Sequence, residues 1–431
     1  MFSYKMKLKP PAPTPPLPIE VWGQIFEKMD NPLDLMRAKR VCKRWNEEIN
    51  RVLPFANWKK LCLTEIRASS LSSIIAVVQP TLPKANYREI EDQNFWRDVY
   101  YHYKKWSSIK ELPMRIFRPK SDLLLFIDEY ITCFDTWDGW ISYGTSYGKI
   151  HIFENFEYQR PYHVLNCPDR IKEVKFWYND NNILFFLALT QDQMIRIWNL
   201  ANKKASNFIL VGYKICVGTA NNLYTMHNNF IMRIQSTPQN VSIKSMERLN
   251  LISGEMVVAM SSRESKIFLV TQAEWQLRVF TLEDESLTKQ QPTFQIQSIF
   301  TIPSLPMIPS TLRIYVTLNR TIICLQKQHM CLHTPKTDFW MIHNNPMYFN
   351  ANVTSLIVHG NYLIIGLSNG ILGMYYTEGI SGLLSPNLLR RPPIKIYTLD
   401  ILPIISIKVT DLCGVIHIIA FNCKDMFIIT F

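Results

Sequence analysis

The residues best equipped for chemistry are those of the run His329-Met330-Cys331-Leu332-His333. On an extended strand alternate side chains share a face, so His329, Cys331 and His333 would present two imidazoles and a thiolate together, all zinc-ligand types. Three ligands on one strand splay along it without an obvious fourth, so the run reads as a strand end before Thr334-Pro335 and no metal is expected. Trp137-Asp138-Gly139-Trp140 offers aromatic faces on which bases could stack, but reads better as packing. Glycine is scarce, at 14 residues, and no phosphate-cradling Gly-rich loop is found. Neither a nucleophile elbow nor a helix with paired histidines occurs. The chain is therefore expected to be a non-enzyme, with no catalytic residues and no cofactor, and to work by binding.

Binding character concentrates in residues 17–54. Trp22, Ile25, Phe26 and Met29 fall at i, i+3, i+4 and i+7, which predicts a helix with one apolar stripe while Glu20, Gln24, Glu27 and Lys28 stay wet. Asn31-Pro32 then restarts the chain. Asn31 caps the next helix, Pro32 suits its first position because no amide hydrogen is needed there, and Asp34 meets the positive end of the dipole. Leu35, Ala38, Cys42, Trp45 and Ile49 follow at spacings of three and four until Pro54 stops the pattern. So short a segment offers too few helices to bury all these large side chains among themselves, which leaves apolar surface needing a partner.

These residues resemble an F-box, the adaptor-binding motif of cullin-type ubiquitin ligases. The landmarks are Leu17-Pro18, Ile25-Phe26, Leu33, Leu35 and the Arg40-Val41-Cys42-Lys43-Arg44-Trp45 run. The resemblance implies an acidic adaptor subunit, and through it a cullin, as partners. It places Leu17, Pro18, Ile25, Phe26, Leu33, Val41, Cys42 and Trp45 on the adaptor interface.

At 431 residues, 47% apolar and 12% aromatic, the chain has material for one large core and a small additional domain. Nine cysteines, odd in number and without a Cys-x-x-Cys pair, argue against a disulfide framework or a zinc module and imply a reducing compartment. No apolar run reaches membrane-span length and no signal peptide is evident, so a cytoplasmic or nuclear protein without membrane contact is expected. The formal charge of +12 is uneven: residues 1–120 hold 22 Lys and Arg against 12 Asp and Glu, the remainder 25 against 23. Basicity at the docking end suits an acidic protein partner, and a nucleic-acid role is not expected.

Residues 1–16, rich in Pro and Lys, read as a disordered lead. Residues 17–54 correspond to the F-box and 55–120 to a helical linker, in which Phe95, Trp96, Val99, Tyr100, Tyr103 and Trp106 form one apolar stripe suited to an interdomain joint. From residue 121 the texture turns to short β-rich runs. Seven hairpins share one form, an apolar strand, a small polar turn and an alternating strand: 140–153, 183–200, 215–226, 267–282, 314–325, 363–376 and 415–431. Their turns are spaced 44, 29, 53, 46, 49 and 54 residues apart, mostly the length of a four-stranded propeller blade. An all-β propeller of about seven blades over 121–431 is expected, latched by pairing the C-terminal strand-like run 426–431 with the run 123–127. The stretches 283–309 and 378–393 read as long inter-strand loops.

Thr190 to Leu200 resembles the closing half of a WD repeat, with Asn199 in place of the usual Asp, and no Gly-His pair opens any repeat. An F-box followed by degenerate repeats resembles the F-box and WD-repeat protein family. That resemblance implies a substrate-recognition subunit of an SCF-type ubiquitin ligase, the F-box binding the adaptor and the propeller an unknown target protein. The alternative is a non-ligase protein-interaction scaffold. Which propeller residues would bind a target is not legible.

Overall fold

The computed structural model describes residues 17–431 except 30, 81–86, 120–127, 155–160, 180, 202–203, 219–221, 237–240, 264–265, 274–275, 285–293, 303–312, 318–320, 327–328, 335–338, 345–348 and 413. The chain forms two compact units, one drawn from residues 1–65 and 91–100, the other from 66–90 and 101–431. Among the described residues, six α-helices precede the first strand: α1 (Ile19–Glu27), α2 (Pro32–Ala38), α3 (Lys43–Val52), α4 (Trp58–Glu65), α5 (Ala68–Val78) and α6 (Gln93–Ser107).

The first unit, here the head, is built from α1 to α4 and the first half of α6. As its sequence dictates, α2 starts at a cap: the Asn31 carboxamide accepts a hydrogen bond from the Leu33 amide at 3.0 Å, and Pro32 takes the first helical position. Trp58, Trp96 and Tyr100 are fully buried and seat α4 on α6. Their polar ends are satisfied, Trp58 Nε1 donating to the Leu53 carbonyl at 3.0 Å and the Tyr100 hydroxyl to Glu65 at 2.9 Å.

The second unit is a seven-bladed β-propeller. Its four-stranded antiparallel sheets span residues 131–166, 171–211, 214–248, 256–302, 313–344, 353–398 and 406–430, numbered here as blades 1 to 7. Each hairpin read from the sequence lies in a different blade. The 215–226 and 314–325 hairpins join first and second strands, whereas the others join second and third. That difference accounts for the short 29-residue interval.

Blade 7 holds only three strands from its own stretch of chain. Its fourth is Arg115–Phe117, which pairs Arg115 with Thr430, Ile116 with Ile429 and Phe117 with Ile428. The C-terminal run therefore takes the latch position, but its partner comes from the stretch read as linker; residues 123–127 lie outside the described residues. A three-residue strand carries too little periodicity to be seen in a sequence.

Every interface between neighbouring blades has its own apolar cluster. The closing one, between blades 7 and 1, packs Phe421, Met426 and Ile428 against Ile131, Phe134 and Tyr143, with the Phe134 and Phe421 rings 4.0 Å apart. Asp138 and Gly139 both take positive φ, 42° and 82°, in the turn between the first two strands of blade 1, a conformation that Asp-Gly favours. The flanking tryptophans are packing residues: Trp137 stacks on Tyr178 and Trp140 lies edge-on to Tyr162. Two sequence expectations are corrected. Phe294–Ile302, inside the presumed loop 283–309, is the outer strand of blade 4. The 378–393 stretch folds into α7 (Ile380–Leu383) and a 3-10 turn (Leu388–Arg390), with Leu383, Leu388 and Leu389 buried in the cluster between blades 5 and 6.

Buried imidazoles make this core sensitive to acid. Burial pushes His151, stacked 4.8 Å from the Tyr143 ring, down to about 4, an effect that Glu129 opposes and Lys149 reinforces. His343, His359 and His417 are lowered as well, in each case first by burial. The unfolded chain then binds more protons than the fold between about pH 4 and 6.5, so stability falls as pH drops through that window. Thermal unfolding followed from pH 7 to 4 should show this loss, and His151→Gln should remove about 3 kcal/mol of it. An unchanged pH profile in the variant would contradict the assignment.

Candidate functional site

In the head, α1 and α3 are held together by three aromatic rings: Trp22 and Trp45 centroids are 4.4 Å apart, Phe26 and Trp45 5.2 Å, and Trp22 and Phe26 5.8 Å. This arrangement decides where the eight expected interface residues lie. Phe26 is 1% exposed, sealed in the head's own core, and Trp45 beside it is half-buried. Leu33, at the start of α2, is also half-buried. Leu17 and Ile25 are exposed, and Val41 is 64% exposed in the turn before α3. Pro18 and Cys42 are exposed cap residues, their carbonyls accepting the Trp22 amide at 3.3 Å and the Asn46 amide at 3.0 Å. The structure thus brings Phe26 and Trp45 together as support and leaves Leu17, Pro18, Ile25, Val41 and Cys42 at the surface.

Three exposed apolar side chains of the head were missed, among them Leu63 of α4, 41% exposed. Val21 stands one turn before Ile25 on α1, a spacing that could have revealed it; Phe55, 83% exposed, follows Pro54 where no periodicity operates. Each such side chain exposed to water costs about 25 cal/mol per Å² that a partner could cover.

The propeller unit contributes a second candidate, its central channel. First strands of the blades place Glu173, Lys175, Lys214 and Lys408 around it, with Asp135 paired to two of these lysines. Lys408 Nζ lies 2.8 Å and Lys175 Nζ 3.8 Å from the Asp135 carboxylate, which also accepts the Phe176 amide at 3.1 Å. Burial alone would raise the Asp135 carboxyl, but Lys175, then Lys408, outweigh it and hold the group below the usual range. Lys175 is raised in turn: burial opposes its charge, and Asp135 and Glu173 more than offset this. Cys133 and Cys216 beside them are pushed up to about 12, chiefly by burial, so both remain thiols near neutral pH.

A polar clasp recurs at the starts of blades 1 and 4. Glu129 accepts from Thr145 at 2.5 Å with Lys149 3.5 Å away, and Glu255 accepts from Thr271 with Arg278 at 2.6 Å. The common offset of 16 residues between acid and threonine was the available signal.

The His329–His333 strand is the third of blade 5; Cys331 is fully buried opposite Cys324, and His333 packs on Trp340. Among the described residues, no group of three or more His, Cys, Asp or Glu is placed to hold a metal, and no helix is long and apolar enough to cross a membrane.

Residues 15–64 match the F-box-like family model. The chain has no match among curated proteins.

The aromatic cluster and the exposed apolar residues should separate on mutation. Trp45→Ala is expected to destabilise the head by roughly 3 kcal/mol, and Val41→Ser by no more than about 0.5 kcal/mol. Denaturant unfolding followed by circular dichroism measures both, and equal losses would contradict the division.

Proposed function

We propose that this chain is the target-recruiting subunit of an SCF-type ubiquitin ligase. Its F-box, residues 17–54, would dock the acidic adaptor that leads to the cullin, and the propeller would hold the protein to be ubiquitinated. The observation that carries this reading is the F-box-like match over residues 15–64 in a chain whose other unit is a seven-bladed propeller. Exposure of Leu17, Ile25 and Val41 supports it, since these apolar groups lack cover within the head.

On this reading Leu17, Pro18, Ile25, Leu33, Val41 and Cys42 meet the adaptor, while Phe26 and Trp45 act from beneath by fixing α1 against α3. We also read the blades as degenerate WD repeats, on the strength of Thr190 to Leu200 with Asn199 at the usual Asp position. The chemistry is positioning: a tethered target presents its lysines at high local concentration to the conjugating enzyme, and this chain makes no bond itself.

Full-length protein carrying Leu17→Asp with Val41→Asp should lose at least tenfold in copurified adaptor and cullin while the propeller's unfolding transition stays unchanged. Retention of both partners would remove the docking assignment. A partner bound by the propeller should also live longer in cells when the docking variant replaces the natural chain. Loss of docking without any change in partner lifetime would favour the scaffold alternative.

A further inference from the structure

The propeller's central channel has a volume of about 710 Å³, within the range of small-molecule sites. One end is stopped by parts of the same unit: Ser73 of α5, Gly360 in the first turn of blade 6, and Gly379 and Leu383 of the folded 378–393 stretch. Among the described residues, the lining of the other end comes from the blades alone. There Lys172 and Lys214 are shared with an adjoining cleft of about 380 Å³ that Gln193 and Tyr213 also line. The channel is therefore a cup.

Its walls differ in kind. Blades 2, 3 and 7 supply four lysines, Lys172, Lys175, Lys214 and Lys408, against one lining carboxylate, Glu173 of blade 2, while Asp135 of blade 1 pairs with Lys175 and Lys408 from outside the lining. Blades 4 to 6 supply Met260, Ile314, Tyr315, Leu356 and Ile357. Deep in the cup stand the hydroxyls of Ser262, 3% exposed, and Thr321, fully buried, neither of which has a hydrogen-bond partner among the described residues. A buried hydroxyl without a partner costs about 1–3 kcal/mol, so the cup has polar capacity that the fold itself leaves unused.

An entirely apolar occupant would strip water from the amines, and a bare inorganic anion would leave the facing wall of Met260, Tyr315 and Ile357 wet. Only a ligand with both characters satisfies both walls. We propose that the cup binds a small organic anion with an apolar body, its carboxylate or phosphate monoester held by Lys172 and Lys214 at the open end and its alkyl or aryl part laid against blades 4 to 6. This site is independent of adaptor docking and stands or falls without it.

Titration calorimetry on the full-length protein tests the proposal with four probes: octanoate, octyl phosphate, octanol and inorganic phosphate. One of the two amphipathic anions should bind with 1:1 stoichiometry, at least tenfold more tightly than octanol or inorganic phosphate, and the preferred head identifies the ligand class. Lys172→Gln with Lys214→Gln, both at the open end and checked for an unchanged unfolding transition, should weaken that binding about tenfold or more. Ser262→Leu, checked for an unchanged unfolding transition, should obstruct the cup and reduce binding again. Failure of both anions to bind, octanol binding as tightly, or an affinity indifferent to the lysine substitutions would each overturn the proposal.

Discussion

The propeller depends on one pairing. Blades 1 to 6 are each made from a single stretch of chain, but blade 7 is completed by Arg115–Phe117 laid beside Met426–Thr430. That register joins residues more than three hundred positions apart and covers the edge that Met426–Thr430 would otherwise leave open. Once the ring is held, Phe421 and Met426 meet Phe134 and Tyr143 across the seam, and the first strands come close enough to enclose the channel. The lysines of blades 2, 3 and 7 face the apolar wall of blades 4 to 6 only because the ring is closed.

The head obeys a different constraint. It has enough helix to bury Phe26, Leu35, Ile49 and Trp58, but not enough to cover Leu17, Val21, Ile25, Val41 and Phe55. Three rings on α1 and α3 fix the surface on which several of these exposed residues stand, so buried support and exposed apolar groups fall on adjacent residues of the same helices. Such a division suits a docking module, whose shape must exist before the partner arrives.

Much of this was legible because strong local signals agree. The Asn31-Pro32 restart, the aromatic stripe of α6 and the hairpins all act over a few residues, where chain geometry is decided by neighbours in sequence. Seven hairpins gave seven blades even where the turn counted was the first rather than the second. What escaped detection needs tertiary context. Arg115–Phe117 becomes a strand only because Ile428 to Thr430 lie beside it, and Phe294–Ile302 was hidden between Pro292 and the prolines at 303, 306 and 309, whose density reads as loop. Residues 378–393, rich in Gly and Pro, fold because Leu383, Leu388 and Leu389 find a cleft between two blades. In the head, the sequence grouped Phe26 with Ile25 as interface residues, and a one-residue step around the helix separates core from surface.

The central claim is that the exposed apolar residues of the head are covered by an adaptor subunit. Hydrogen exchange on the full-length protein, with and without a purified SCF adaptor, addresses it directly. The account predicts slowed exchange across residues 17–27 and 39–46 when the adaptor is added, with blades 1 to 7 unaffected. Unaltered exchange in those two segments under saturating adaptor, or protection confined to the propeller, would contradict it.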